Sequence, residues 1–263
     1  MKLQSVVLAT SATAKLSPFS NETCDRALLQ EATNRYIAAQ STGQPQWLST
    51  LLSDNVTLVE NNIKNSIPET CTSFSELISV TPSPGYQIGT QLRLNAGTRK
   101  ITRIDHMVTM EGDLDVNTTQ ALHYLLREDW APILSSGRNS RATIQAAADA
   151  YYTCFSNGST IVSWDAPCDR FEGGTYIGQG LANDTCDAGL PPFSVEMRDQ
   201  RYVADETIGS VNILSEFGIL GPDSHEFRVE KGKIRWIYAM MFCRGTPNCD
   251  APEFPGLREE VGW

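Results

Sequence analysis

The chain has 263 residues, with 31 acidic against 21 basic side chains and a net charge of −10. That length accommodates two domains of ordinary size, and the acidic balance argues against nucleic acid and anionic membrane surfaces as partners. No apolar run reaches the length of a membrane span.

Residues 1–14 combine one lysine, a short apolar stretch and an Ala12-Thr13-Ala14 ending, which reads as a signal peptide. Sequons at Asn21, Asn55, Asn117, Asn157 and Asn183 add expected glycosylation sites. With the cysteines they place the chain in the secretory pathway, secreted or in a vesicle lumen. The cysteines are Cys24, Cys71, Cys154, Cys168, Cys186, Cys243 and Cys249, an odd set that leaves one thiol over. Cys154, inside the helix-like AAADAYYTCF, is the candidate for that thiol, and no base or cation beside it in sequence would activate it. Cys168–Cys186 is the first expected bridge, followed by Cys24–Cys71 and Cys243–Cys249, although spacing alone does not fix connectivity.

Residues 25–40 carry apolar side chains at helical spacing, ended by Thr42, Gly43 and Pro45. A short helix over 47–52, a strand over 55–60 and a short helix around 74–78 follow. Residues 86–95 and 98–110 read as two strands joined at Ala96-Gly97. Residues 119–130 fit either a helix or a further strand. The polar stretch 132–139 is the expected connection between a first domain, 15–134, and a second, 135–263. Ser140 then caps a helix over 141–155, residues 164–192 read as a loop stapled by cysteines, and 201–217 and 224–242 read as two long β-runs. The last contains a hairpin at Glu230-Lys231-Gly232-Lys233.

The chain also repeats itself. Lys100, Ile101, Ile104 and Met107 align without a gap on Lys233, Ile234, Ile237 and Met240, and LQEATNRY ending at Tyr36 aligns on IQAAADAY ending at Tyr151. Matches in the same order at such long period indicate a duplicated domain. Helices followed by long strands in each half predict an α+β fold of two tandem cone-shaped domains, each a curved antiparallel sheet packed on N-terminal helices.

Several segments carry a family resemblance: IQAAADAYY at 144–152, PCDRFEGG at 167–174, RYVADETIGSV at 201–211, PDSHEFRVEKGKIRW at 222–236 and EGDLDVNTTQALHYLLREDW at 111–130. They resemble a fungal secreted tandem family of the nuclear transport factor 2-like, or SnoaL-like, fold. That family includes the tropolone-sesquiterpenoid hetero-Diels–Alderases. The resemblance implies a cofactor-free cyclase of secondary metabolism that couples a tropolone o-quinone methide to a humulene-type terpene. Its partners would then be polyketide-derived and terpene small molecules, with a homodimer as a further expectation. The position of Tyr238 more often carries His in that pattern, and Ala239 and Met240 also depart from it.

The strand after Lys233 places Ile234, Trp236, Tyr238, Met240 and Phe242 on one face, which reads either as core or as the wall of a small-molecule pocket. Tyr238, His225, Arg235 and Glu206 are the candidate catalytic residues, as donors to a developing oxyanion or movers of one proton. Trp236, Met240, Phe242, Tyr151, Tyr176 and Tyr202 are the candidates for packing a hydrocarbon substrate. The competing reading makes Arg201, Asp205, His225 and Arg228 a salt-bridged network between strands. His106, His123 and His225 lack metal-ligand spacing; Gly173-Gly174 and Gly178 to Gly180 lack the setting of a phosphate loop; and no serine stands in a nucleophile elbow. A carrier of hydrophobic metabolites and a proton-shuffling isomerase or dehydratase are the alternative functions.

Overall fold

The computed structural model describes residues 26–65, 79–80, 85–178, 181–187, 194–218 and 220–250. The first half contains α1 (Arg26–Thr42), α2 (Gln46–Ser49), β1 (Leu52–Glu60), β2 (Ile63–Asn65), β3 (Ser79–Val80), β4 (Tyr86–Asn95), β5 (Lys100–Met110) and α3 (Thr118–Leu125). The second contains α4 (Arg141–Ser156), β6 (Trp164–Glu172), β7 (Thr175–Ile177), β8 (Met197–Asp205), β9 (Ser210–Phe217), β10 (Gly221–Glu230) and β11 (Lys233–Met241). One sheet has the order β2-β1-β5-β4-β3, the other β7-β6-β11-β10-β9-β8. The fold is α+β in two units, each a sheet packed on a helix. Pairing is antiparallel except that β1 runs parallel to β5, and β6 to β11.

The repeat extends to register. Leu52 pairs with Ile101 and Thr57 with Arg103 across an irregularity; Trp164 pairs with Ile234 and Asp169 with Trp236 across its counterpart. A second shift, at Arg93/Leu94 against β5, recurs at Arg228/Val229 against β11. Bulges fix where a strand bends and which side chains it re-aims, so conserving them between units conserves the shape of both sheets.

Each helix buries one stripe. Ala32, Tyr36 and Ala39 of α1 pack with Leu58, Leu92, Ile101 and Ile104. On α4, Ile144, Ala148, Tyr151, Tyr152 and Phe155 pack with Ile213, Phe227, Ile237 and Met241. Spacings of three and four residues bring these side chains onto one face, and each large one contributes about 1.5–3 kcal/mol on burial. The Ser140 hydroxyl accepts from the Thr143 amide at 3.2 Å and fixes where α4 begins.

The sheets of the two units face one another. A Cβ on Gly89 would stand 2.6 Å from the Met240 methyl and 2.8 Å from the Ser224 hydroxyl, so any larger residue here would have to displace those side-chain ends. Around it, the Gln91 amide donates to Asn212 Oδ1 at 2.7 Å, and Asn62 donates to the Ser215 carbonyl at 3.0 Å.

Three segments differ from the sequence reading. Residues 201–217 are not one run: β8 and β9 fold back at Glu206–Gly209, where Gly209 has φ +65°. Thr207 and Ile208 are strand formers, and they hide that turn from propensity. Residues 164–177 are not loop; β6 and β7 lie here, and the partner that makes β6 a strand is the distant β11. The ambiguous 119–130 stretch supplies α3, whose start is capped by Asn117 Oδ1 accepting from the Gln120 amide at 2.9 Å.

Disulfides join Cys168 to Cys186 and Cys243 to Cys249, and Cys154 is a free thiol. Such bridges suit an oxidising compartment. Asn55, Asn117, Asn157 and Asn183 are exposed. The expected signal peptide, Asn21, the Cys24–Cys71 bridge and the 74–78 helix lie outside the described residues. Among the described residues no helix is long and apolar enough to cross a membrane.

Candidate functional site

Alternation sends the side chains of β11 into two surroundings. Ile237, Met241 and, just past the strand, Cys243 join the core under α4, and so does Ile234, which the irregularity before Trp236 turns away from the face expected for it. Trp236, Tyr238 and Met240 point the other way, toward α3 and the chain that follows it. Ala121 and Leu125 of α3 pack on Tyr238, Met240 and Phe171, with Tyr124, Trp130 and Tyr176 at the margin. Tyr238 stacks on Phe171 at 4.6 Å and 8°, and Trp130 lies 5.2 Å from Trp236. The row is therefore covered by a helix, and its accessible rim is the half-buried edge formed by Glu128, Trp130, Asp169 and Arg235.

That rim is rich in paired charge. Asp169 accepts from Arg235 at 2.6 Å, from the Trp236 indole at 3.1 Å and from the Tyr176 hydroxyl at 3.1 Å. The Tyr176 hydroxyl also lies 2.7 Å from Asp184; burial and these two carboxylates raise its pKa. The Arg235 and Arg228 guanidiniums lie over Trp236, at 5.0 and 5.8 Å, in reach of a cation–π attraction.

Glu128 accepts from the Trp130 indole at 2.8 Å. Burial outweighs that bond and pushes the carboxyl up to about 7, with the Asp169 charge adding to the effect and Tyr238 and Arg235 opposing it. The Tyr238 hydroxyl is buried and makes no hydrogen bond of ordinary length; burial, then the Glu128 charge, hold its pKa well above the usual phenol. Directly across from Tyr238 in register sits Glu226, 2 % exposed, with neither carboxylate oxygen hydrogen-bonded among the described residues. A carboxyl pushed up toward neutrality beside a phenol whose nearest acceptor is that carboxyl can donate to, or exchange a proton with, a polar group brought between them.

The other candidates are distributed elsewhere. Tyr151 and His225 lie on the α4 side of the same sheet, 3.4 Å apart. His225 Nδ1 is 2.9 Å from Asp223, which also accepts from Tyr152 at 3.1 Å and Ser215 at 2.9 Å. This buried network is internally hydrogen-bonded. The Glu206 carboxylate accepts from the Arg141 amide at 2.6 Å and anchors the start of α4. Tyr202 donates to Asp149 at 2.8 Å on the outer side of α4. Phe242 is half-buried just past β11. So Tyr238, Arg235, Trp236, Met240 and Tyr176 share one locality, while His225, Tyr151, Glu206, Tyr202 and Phe242 do not join it. Nor do Arg201, Asp205, His225 and Arg228 form one network: they pair separately with Asp105, Arg26, Asp223 and Glu230.

Glu128, Trp130, Asp169 and Glu226 were not legible as site residues. Glu128 and Trp130 belong to the stretch whose secondary structure was ambiguous, and Asp169 to a segment read as loop. Only a buried acid in an otherwise alternating strand, Glu226, carried a signal of its own. Among the described residues no group of three or more His, Cys, Asp or Glu is arranged to hold a metal ion.

Residues 137–241 match the model of a domain of unknown function, DUF8021. No curated protein matches the chain. Among solved structures it is similar to a protein from Xanthomonas campestris pv. campestris described as a "putative polyketide cyclase", at 15% identity and a TM-score of 0.28, over 40% of this chain and 93% of that one.

Proposed function

We propose that the second unit is a cofactor-independent cyclase acting at the rim of Glu128, Tyr238 and Arg235. The observation that carries this reading is the buried Tyr238 hydroxyl, facing a Glu128 carboxyl held near neutrality and, among the described residues, in no hydrogen bond of ordinary geometry. The finer reading, taken from the sequence resemblance, is an intermolecular hetero-Diels–Alder coupling of a tropolone o-quinone methide with a humulene-type terpene. That reaction forms one C–C and one C–O bond with no net proton transfer. It needs two partners held face to face and a donor on the oxygen of the heterodiene, where charge develops. Tyr238 and neutral Glu128 supply donors, and Trp130, Trp236 and Tyr176 supply flat apolar surface.

The test is turnover of that substrate pair by purified protein. We expect acceleration over buffer, a loss of about 10²-fold in Tyr238→Phe, and activity that declines as pH rises through about 7, with Glu128→Gln flattening the profile. A rate and product ratio equal to those in buffer would remove the proposal.

The close cover of Tyr238 by Phe171 and α3 favours a second reading, a carrier that binds a hydrophobic metabolite without turning it over. Saturable binding with no product, and unchanged affinity in Tyr238→Phe, would select it.

A further inference from the structure

Ser210, Glu226 and Tyr238 each bury a polar atom that has no hydrogen bond among the described residues. They stand on β9, β10 and β11, which are neighbours in the second sheet. Register sets Glu226 between Asn212 and Tyr238, with Ser210 one diagonal step away. This is the face that meets the first unit through Asn212 and Gln91 and carries α3 over Tyr238. Glu226 is the anomaly among the three. A carboxyl that is 2 % exposed is ordinarily paired, because an uncompensated buried charge is strongly destabilising. Donors do flank it, yet each is committed elsewhere. The Asn212 amide donates to Ser224 Oγ at 3.2 Å. The Arg228 guanidinium donates to Glu230 at 2.9 Å and to the Ala131 carbonyl at 3.2 Å, and it lies over the Trp130 and Trp236 rings.

The first unit shows that the fold does not require this arrangement. By register Gln91 holds the place of Glu226. Its amide donates to the Arg201 carbonyl and to Asn212 Oδ1, both at 2.7 Å, and its carbonyl accepts from Arg93 at 3.0 Å. An amide at this place is tied into the joint between the sheets. The carboxyl at the matching place has no such tie among the described residues, and a buried acceptor left open is a group that a ligand can satisfy.

We propose that Glu226 is a substrate-binding residue, the acceptor that works beside the Tyr238 donor, and that the pair selects a ligand with a hydroxyl on the carbon next to a carbonyl. This inference rests on the reading of the Tyr238 rim as the site of reaction. Directly opposed residues on adjacent strands hold their Cβ atoms about 4.5–5.5 Å apart, so two oxygens on adjacent carbons of one ligand come within reach of both side chains. Tyr238 donates to the carbonyl, where charge develops, and Glu226 accepts from the hydroxyl. A ketone without the hydroxyl gains nothing from Glu226. A second carbonyl in that place sets acceptor against acceptor, so the carboxylate selects by repulsion as well as by attraction.

The experiment measures binding rather than turnover, by calorimetry on the full chain in mildly acidic buffer. The probes are maltol, a flat ring whose hydroxyl adjoins its carbonyl, and its methyl ether, which keeps the carbonyl and loses the donor. We expect maltol to bind about 10-fold more tightly than the ether, the weight of one hydrogen bond to a charged acceptor. Glu226→Leu should bring the two affinities together and Glu226→Gln should shrink the preference. Tyr238→Phe should weaken both probes and keep their ratio, since the carbonyl it serves is common to both. Equal binding of the two probes, no saturable binding of maltol, a preference undiminished in Glu226→Gln or one that survives in Glu226→Leu would overturn the proposal. The coupling reaction is judged apart from this. The expected preference without acceleration of the substrate pair removes the cyclase and leaves Glu226 as a ligand-binding residue; acceleration with equal binding of the probes keeps the cyclase and removes this assignment.

Discussion

The outer faces of β5 and β11 occupy matching places in two units built on one register, yet one is a cluster of charges and the other a stack of rings. Across the first pair of strands Gln91 stands opposite Asp105; across the second, Glu226 stands opposite Tyr238. Each pair holds one acid, but on opposite strands and in opposite circumstances. Asp105 is paired with Arg103 at 2.6 Å and Arg201 at 3.4 Å, whereas neither Glu226 oxygen has a hydrogen-bond partner among the described residues. The first face is a joint between sheets in which the acid is paired with two guanidiniums. The second carries groups whose polar valence is left open among the described residues, and unsatisfied polarity deep in a fold is where binding is to be sought.

The contrast breaks most visibly at Asp105. Asp105→Ala leaves Arg103 and Arg201 without their carboxylate, and a loss of about 3 kcal/mol is expected from denaturant unfolding. Next is Glu128. Its folded pKa, about 7, lies above the ordinary 4.5, so its contribution to stability is complete below the unfolded value and is lost as pH rises from there through 7. For a carboxyl at the rim this amounts to about 1–2 kcal/mol after screening, and Glu128→Gln should remove the slope from a plot of stability against pH. Glu226→Gln recreates the residue found at the same place in the first unit. It should raise stability at neutral pH by about 1 kcal/mol, since no cation compensates the carboxylate; a loss instead would mean that Glu226 has a partner the contrast overlooks. Smallest is Tyr238→Phe, whose effect on unfolding should stay within about 0.5 kcal/mol, because the hydroxyl it deletes makes no hydrogen bond of ordinary geometry among the described residues and faces only the Glu128 carboxyl.

Local pattern made the helices and the hairpins readable. Ser140, the stripe from Ile144 to Tyr151, and the Lys231-Gly232 turn all act through neighbours in sequence, and each stands where the pattern put it. The β6 strand was hidden because its pairing depends on a partner far along the chain and its own residues include Pro167 and two aspartates. The site was half readable for the same reason. Alternation along β11 identified the face with Trp236, Tyr238 and Met240, but nothing in that strand says that the chain from 118 to 130 will lie on it. His225 was grouped with Tyr238 by residue type, while strand pairing puts Ala239 opposite His225 and sends the two side chains to opposite sides of the sheet.

The two units are tied where the chain leaves each sheet, with the Asn248 amide donating to the Gly112 carbonyl at 2.7 Å and the Cys243 amide to Asp113 at 2.8 Å. The helix that shields Trp236, Tyr238 and Met240 is encoded before the connection at 131–140, so a fragment cut to residues 137–241 would retain every strand of the second sheet and leave its rings bare to water. Genetic dissection at that connection would yield two adhesive halves rather than two modules. The sound unit for expression, exchange or recombination with relatives is the interlocked pair.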